Sequence, residues 1–278
     1  MAEYANQDAL VETDWVAGHL NDSNVRLVEV DVDTAVYDQG HLPGAVGWNW
    51  RSQLQAGTVR DLVTKDELEK LMGASGIDHG TTVILYGDNN NWFAAWAYWQ
   101  LKYYGHSDVR LMNGGRAKWA AENRPLTTDV HPVGLKSYAA SVPDSSIRAM
   151  REQVVEGLGS ATFVDVRSPR EFSGELLAPE NLPQEGAQRG GHIPGAANIG
   201  WGQAVREDGT FKTADELSEI YGGRGVTAEK DVITYCRIGE RASHSWFVLK
   251  ELLGYSNVRN YDGSWTEWGS SVGLPIER

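Results

Sequence analysis

A single cysteine, Cys236, is the only thiol in this chain of 278 residues. An intrachain disulfide is excluded, and the fold is independent of oxidation. Long apolar runs are missing too. The nearest, Trp92 to Trp99, falls well short of the ~18 residues a membrane helix needs. Positive charge is scarce: 25 Lys and Arg stand against 38 Asp and Glu, a formal net charge of -13. That balance argues against nucleic acid or an anionic membrane surface as the main partner. Proline is sparse, 9 against 31 glycines, and 41% of residues are hydrophobic, which marks a folded globular chain and not a disordered one. The opening residues Met1-Ala2-Glu3-Tyr4-Ala5-Asn6 lack the basic and apolar regions of a signal peptide, so a cytoplasmic protein is expected. The seven histidines show no metal-ligand spacing, and neither a metal nor another cofactor is expected.

What is present is a repeat. The length suggests two domains at roughly 150 residues each. Thr13 opens a first helix as its N-cap. Val25 to Asp31 reads as a strand, and Thr64 to Met72 as a helix with a capping box. Thr82 to Gly87 reads as a buried strand of a parallel sheet, Trp92 to Tyr104 as an aromatic-rich helix, and Val109 to Met112 as another strand. The second half repeats these signals. Phe163 to Arg167 answers Leu27 to Asp31, and Gly191-His192-Ile193-Pro194-Gly195-Ala196 answers Gly40-His41-Leu42-Pro43-Gly44-Ala45. Asp215 to Ile220 answers the helix near Glu67. Ile84 to Trp119 lies without a gap over Ile233 to Trp268, pairing Tyr86 with Tyr235, Gly114 with Gly263 and Trp119 with Trp268. A match of that length marks a duplication. Strand–helix alternation makes each copy an α/β unit, a mainly parallel sheet flanked by helices. The expected boundaries are 1–126 and 146–278, joined by a connector over 127–145. The second copy carries a polar insert over 173–188.

The strand Ile233-Thr234-Tyr235 runs into Cys236, then Arg237-Ile238-Gly239-Glu240-Arg241, then an amphipathic run from His244 to Leu253. Strand, tight loop and helix put the thiol among backbone N–H groups at the positive end of a helix dipole. Those conditions lower a cysteine pKa and make a nucleophile. An inert buried cysteine is the plainer alternative, and the repeat argues against it. Cys236 falls on Gly87, Arg237 on Asp88 and Arg241 on Trp92. The first copy keeps the scaffold but has neither the nucleophile nor the two cations, so the second is expected to carry the chemistry.

These residues resemble the rhodanese family. The second half is similar to the rhodanese domain, and the whole chain to the tandem-domain thiosulfate sulfurtransferases of the actinobacterial type. The resemblance rests on the loop from Cys236 to Arg241, on Gly191 to Ala196, on Asp165-Val166-Arg167 and on Tyr261 to Trp268. It implies two tandem rhodanese-like domains, the first catalytically inactive. It also implies that Cys236 takes the outer sulfur of thiosulfate, holds it as a persulfide and releases sulfite. The sulfur then passes to cyanide or a thiol acceptor, a dithiol protein among the candidates. Arg237 and Arg241 are the substrate-binding candidates, with Arg189 added from its place before Gly190-Gly191-His192. Arginine stays charged and presents a planar fork to oxyanions. Ile238, Gly239 and Glu240 complete the active-site loop, whose N–H groups cradle the persulfide. Glu240 is expected to pair with a neighbouring cation and not to act as an acid or base, since this chemistry needs no proton from it.

Three readings compete with this one. Phosphatases and arsenate reductases on the same scaffold place five residues between cysteine and arginine. Here four, 237–240, separate Cys236 from Arg241, a loop suited to one sulfur atom. Mercaptopyruvate is the rival sulfur donor, but loops for it resemble Cys-Gly-Ser-Gly-Val, nearly uncharged. A non-catalytic persulfide carrier or redox module is the third, because a thiolate in a positive nest also oxidises readily. His41 and His192 are expected to brace equivalent loops, Asp165 and Arg167 to form a structural ion pair, and Trp92, Trp96 and Trp99 to share a packed helix face.

Overall fold

A computed structural model describes residues 3–179 and 186–278, so the insert expected over 173–188 is described only at its two ends. Two units build the chain. In the first, strands β1 (Leu10–Val11), β2 (Val25–Glu29), β3 (Val46–Gly47), β4 (Thr82–Tyr86) and β5 (Val109–Met112) lie in the order β1-β5-β4-β2-β3. In the second, β6 (Thr162–Asp165), β7 (Ala197–Asn198), β8 (Val232–Tyr235) and β9 (Val258–Asn260) lie in the order β7-β6-β8-β9. Every strand pairing in both sheets is parallel. The central strands β4 and β8 are buried along their whole length. Both faces of a parallel sheet are covered, which is why these strands read as near-continuous apolar runs. The duplication extends to the register: Glu29 faces Tyr86 across β2 and β4, as Asp165 faces Tyr235 across β6 and β8.

The units are not simple halves. The first takes Asp8–Asp144 together with Val205–Phe211, and the second takes residues 3–7 with the rest. Phe211 N–H donates to Asn113 Oδ1 at 2.9 Å within the first unit. Ala5 and Asn6 N–H donate to the carbonyls of Leu252 and Glu251, each at 2.9 Å, within the second. The segment 128–144 forms neither helix nor strand. It runs along the first unit through Lys136 N–H to Gly73 O (3.0 Å) and Ser141 N–H to Tyr104 O (3.0 Å).

The helices start where their caps dictate. Thr64 Oγ1 accepts Glu67 N–H at 3.3 Å while Glu67 Oε2 accepts Thr64 N–H at 3.1 Å, opening helix Lys65–Ala74. Thr213 and Glu216 repeat the device at helix Ala214–Gly222. Thr13 differs from expectation. It is the first residue of helix Thr13–Gly18 and not its cap, because its hydroxyl donates to Glu122 Oε2 at 2.6 Å.

Both copies close in the same way. Trp119 Nε1 donates to Pro125 O at 2.9 Å, and Trp268 Nε1 to Pro275 O at 2.8 Å. Two residues on, Thr127 exchanges backbone hydrogen bonds with His41 (2.8 and 2.9 Å), and Glu277 with His192 (2.9 and 3.0 Å). Each histidine ring stacks on an aromatic neighbour, His41 on Tyr37 at 3.9 Å and His192 on Phe172 at 3.6 Å between centroids. Their Nδ1 atoms lie 3.1 and 3.0 Å from the carbonyl oxygens of those same residues. The pair of histidines braces the two equivalent loops. No helix among the described residues is long and apolar enough to cross a membrane.

Candidate active site

Strand β8 delivers Cys236 to the point where the sheet gives way to the loop 236–239, and helix Glu240–Phe247 starts directly after it. The end of β9 and the segment after it pin this loop from behind. Cys236 N–H donates to Ser264 Oγ at 3.1 Å, Ser264 Oγ to Tyr261 O at 2.7 Å, and Asn260 Nδ2 to Gly239 O at 3.1 Å. Trp265 and Thr266 N–H donate to the carbonyls of Cys236 and Arg237 at 3.1 and 3.0 Å. Gly239 turns the chain with φ of +100°, and a Cβ there would lie 2.6 Å from Asp262 Cα. Only glycine meets both demands. The result points Gly239 N–H at Cys236 Sγ, 3.1 Å away.

The electrostatics depart from the sequence expectation. Cys236 is 0% exposed. Burial pushes its thiol pKa up, and the charge of Glu240 adds to the rise, against the opposing pull of Arg241 and the N–H groups of Ala242 and Gly239. The expected lowering is therefore not present in this resting arrangement. Desolvation of a thiolate outweighs the loop's positive features. Sγ lies 3.6 Å from Glu240 Oε2.

Carboxylates face both loop arginines. Arg241 donates from Nη1 and Nη2 to the two oxygens of Glu171 at 3.0 and 2.9 Å, a bidentate pair with side chains 5% and 3% exposed. Burial works against the Glu171 anion, yet the hydrogen bonds and charge of Arg241 hold its carboxyl down at about 2. Glu171 also closes the capping box of helix Pro169–Ser173, accepting from Ser168 N–H at 3.1 Å. Arg237 Nη2 sits 3.7 Å from Glu240 Oε1, the cation pairing expected for that glutamate, though at long range.

Arg189 is placed differently. Its Nε donates to Gly269 O (3.0 Å), Nη1 to Leu274 O (3.1 Å) and Nη2 to Ser271 O (2.8 Å) and Trp268 O (3.3 Å). That is the geometry of a brace on the C-terminal turn, with all three nitrogens engaged by carbonyls. Arg167 is buried against Asp165, with Nε 2.9 Å from Oδ1, and it caps Gly191 O at 2.8 Å, as a structural ion pair should. Among the described residues, no group of three or more His, Cys, Asp or Glu side chains is placed to hold a metal ion. Two contributors escaped the sequence reading. Ser264 lies in the stretch Tyr261 to Trp268 that carries the family resemblance, but nothing in that stretch ties it to Cys236. Glu171 had a signal, its capping box with Ser168, but nothing in that box points to Arg241.

A rhodanese-like domain matches the chain twice, over residues 12–122 and 150–271. The chain belongs to the rhodanese family. A "Putative thiosulfate sulfurtransferase" of Saccharopolyspora erythraea is 56% identical over 273 residues, 98% of this chain and 97% of that protein. "Sulfur carrier protein TtuD" of Thermus thermophilus is 55% identical over 280 residues, 99% and 98% of the two chains. EanB, solved with a persulfide on its cysteine and with ergothioneine, has a TM-score of 0.87 to this structure at 26% identity, covering 100% of this chain and 72% of EanB.

The first rhodanese copy shows what its loop holds without the thiol. Asn89, Asn90 and Asn91 all have left-handed conformations (φ 43°, 58° and 62°) at the start of helix Asp88–Tyr103. Asp88 accepts Val32 N–H at 2.6 Å, and Asp31 accepts Asp88 N–H at 2.8 Å. Burial, then the charge of Glu29, pushes the Asp31 carboxyl up to about 9. The cation has also changed place. Arg116, at the position of Trp265, pairs with Glu29 at 2.6 Å. In the second copy the cation is Arg167, at the position of Asp31, and it lies 4.7 Å over the Trp265 ring. A cysteine cannot simply be restored here, because a Cβ on Gly87 would meet Val30 O at 2.1 Å. Gly87→Cys in a Cys236→Ser background is expected to lose about 1–3 kcal/mol of stability and to take up no sulfur from thiosulfate. Thermal unfolding and intact mass would check both, and a persulfidated Cys at position 87 would overturn the expectation.

Proposed function

We propose that this rhodanese is a thiosulfate sulfurtransferase in which Cys236 carries the sulfane sulfur as a persulfide and passes it to cyanide or a thiol, releasing sulfite. The observation that supports this best is the loop itself: a buried Sγ receiving Gly239 N–H at 3.1 Å just before the start of a helix, with Arg237 and Arg241 both following the cysteine within five residues. Thiolate attack on the outer sulfur of thiosulfate forms one S–S bond and breaks the other, whose electron pair departs with sulfite. Fixed cations offset the charge that builds on the leaving group. Both Nη groups of Arg241 are engaged by Glu171, so Arg241 acts through its charge at the thiol. Arg189 acts one step removed, holding the turn 268–274 behind the loop's supports. The persulfide sulfur is received by successive loop N–H groups. Two separate displacements make the kinetics ping-pong.

The donor reading favours thiosulfate over mercaptopyruvate because the loop after the thiol carries two arginines. A second reading has support of its own. A relative 55% identical to this chain is named a sulfur carrier, and full burial of Cys236 suits delivery to a shaped partner more than to bulk cyanide. One experiment separates them. The protein is incubated with thiosulfate or mercaptopyruvate, its intact mass is read for one added sulfur, and the loaded form is then offered cyanide or a dithiol. Loading by thiosulfate and discharge to cyanide with turnover is expected. Loading without turnover would leave the carrier, and no loading by thiosulfate would sink the proposal.

A further inference from the structure

Resting on the sulfurtransferase reading above, we propose that Glu240 is the proton acceptor for the Cys236 thiol, so that nucleophile and acid–base partner stand at the two ends of one tight loop. The two copies of the fold carry the first part of the argument. The ungapped repeat places Glu240 on Asn91. Asn91 is buried and its amide ties backbone, Oδ1 accepting Gly87 N–H at 3.0 Å and Nδ2 donating to Met112 O at 2.7 Å. An uncharged side chain therefore suffices to fold this loop. The copy with the thiol has a carboxylate there instead, 1% exposed, with Oε2 3.6 Å from Sγ and Oε1 accepting no hydrogen bond among the described residues.

A buried carboxylate without a close partner is expensive in its charged form. The cation best placed to neutralise it, the adjacent Arg241, is held bidentately by Glu171, and Arg237 stands off at 3.7 Å. Burial accordingly pushes the Glu240 carboxyl up, against the pull of Arg241 and Arg237. Further charged or titratable groups near the loop, among the described residues, include His244, one turn on in the same helix, and the Arg148–Asp262 ion pair (2.8 Å) behind Gly239. Transfer moves the proton from Sγ to Oε2 and leaves the electron pair on sulfur. The loop then holds a thiolate within the field of Arg241 and next to a neutral acid, which suits an incoming dianion better than a carboxylate would. After the thiolate attacks the outer sulfur and sulfite leaves with its electron pair, the proton stays on Glu240. It returns to Cys236 when the acceptor removes the persulfide sulfur.

The pair should titrate as one unit with two macroscopic steps. Between them a fixed fraction of the one-proton state is thiolate with neutral Glu240, so a thiolate probe reads a plateau. The rate of Cys236 alkylation by iodoacetamide, followed by intact mass across pH, is expected to rise, level off and rise again in the wild type. In Glu240→Gln the plateau is lost, and the rate falls by about tenfold per pH unit below a single step. Glu240→Asn, the residue the first copy uses, serves if the Gln variant does not fold. A wild-type profile with one step and no plateau overturns the inference without any variant. Sulfur uptake from thiosulfate is measured on the same wild-type samples. A plateau without uptake would remove the sulfurtransferase reading while leaving the proton pair in place.

Discussion

Cys236→Ser is expected to abolish sulfur uptake: no mass increment after thiosulfate, and thiocyanate formation at the background rate. Loss of a nucleophile that no other group can replace takes on the order of 10⁶-fold from turnover. Two features make the outcome sharp. The chain has one cysteine, so any sulfur that persists as a persulfide must be on Cys236. The substitution is also gentle on the fold, because a serine hydroxyl can still receive Gly239 N–H and donate toward Glu240, the two contacts Sγ makes at 3.1 and 3.6 Å. Unfolding free energies of the two proteins from denaturant titration should agree to within about 1 kcal/mol. Residual thiocyanate formation by a folded Cys236→Ser protein would remove the persulfide from the reaction altogether.

The features legible in the sequence were those that local pattern and repetition carry. Parallel central strands announce themselves as unbroken apolar runs because both faces are covered, and β4 and β8 did so. Cys236 stands out because the same place in a copy of the same scaffold holds Gly87. The site's electrostatics were not legible. Counting charges along the loop finds Arg237 and Arg241 and predicts a depressed thiol. The folded chain sets Glu171 against Arg241 and Glu240 against the thiol and buries all of them, which reverses the direction. Glu171 lies 70 residues from its partner, and no short-range rule connects them. The neighbours of Arg189 in sequence point to substrate, whereas its environment is the turn 268–274, which closes on it from the far end of the chain.

Glu171 and Arg241 should behave as one unit. The stacked rings align Tyr37–His41 with Phe172–His192, which sets Val36, the residue before Tyr37, against Glu171. Trp92 stands against Arg241. The first copy thus has neither member of the pair and the second has both. Removing one partner leaves the other as an uncompensated buried charge, so Glu171→Ala and Arg241→Ala are each expected to destabilise by about 3–5 kcal/mol. The double variant should lose much less than the sum, because it strands neither charge. The pair also has a pH signature. The Glu171 carboxyl is held at about 2 in the folded protein against roughly 4.3 when unfolded, a difference of about 3 kcal/mol. A depressed carboxylate stabilises fully above its unfolded pKa and loses that contribution as pH falls through its folded one. The wild type should therefore lose stability between about pH 4 and pH 2, and the Glu171→Ala protein should show a shallower acid limb. Denaturant unfolding of the four proteins at neutral and acid pH supplies the cycle. In the same series, Arg241→Ala should raise KM for thiosulfate, and Glu171→Ala should raise it too if the clamp is what keeps Arg241 at the thiol. Additive single losses together with an unchanged KM in Glu171→Ala would reduce the pair to packing.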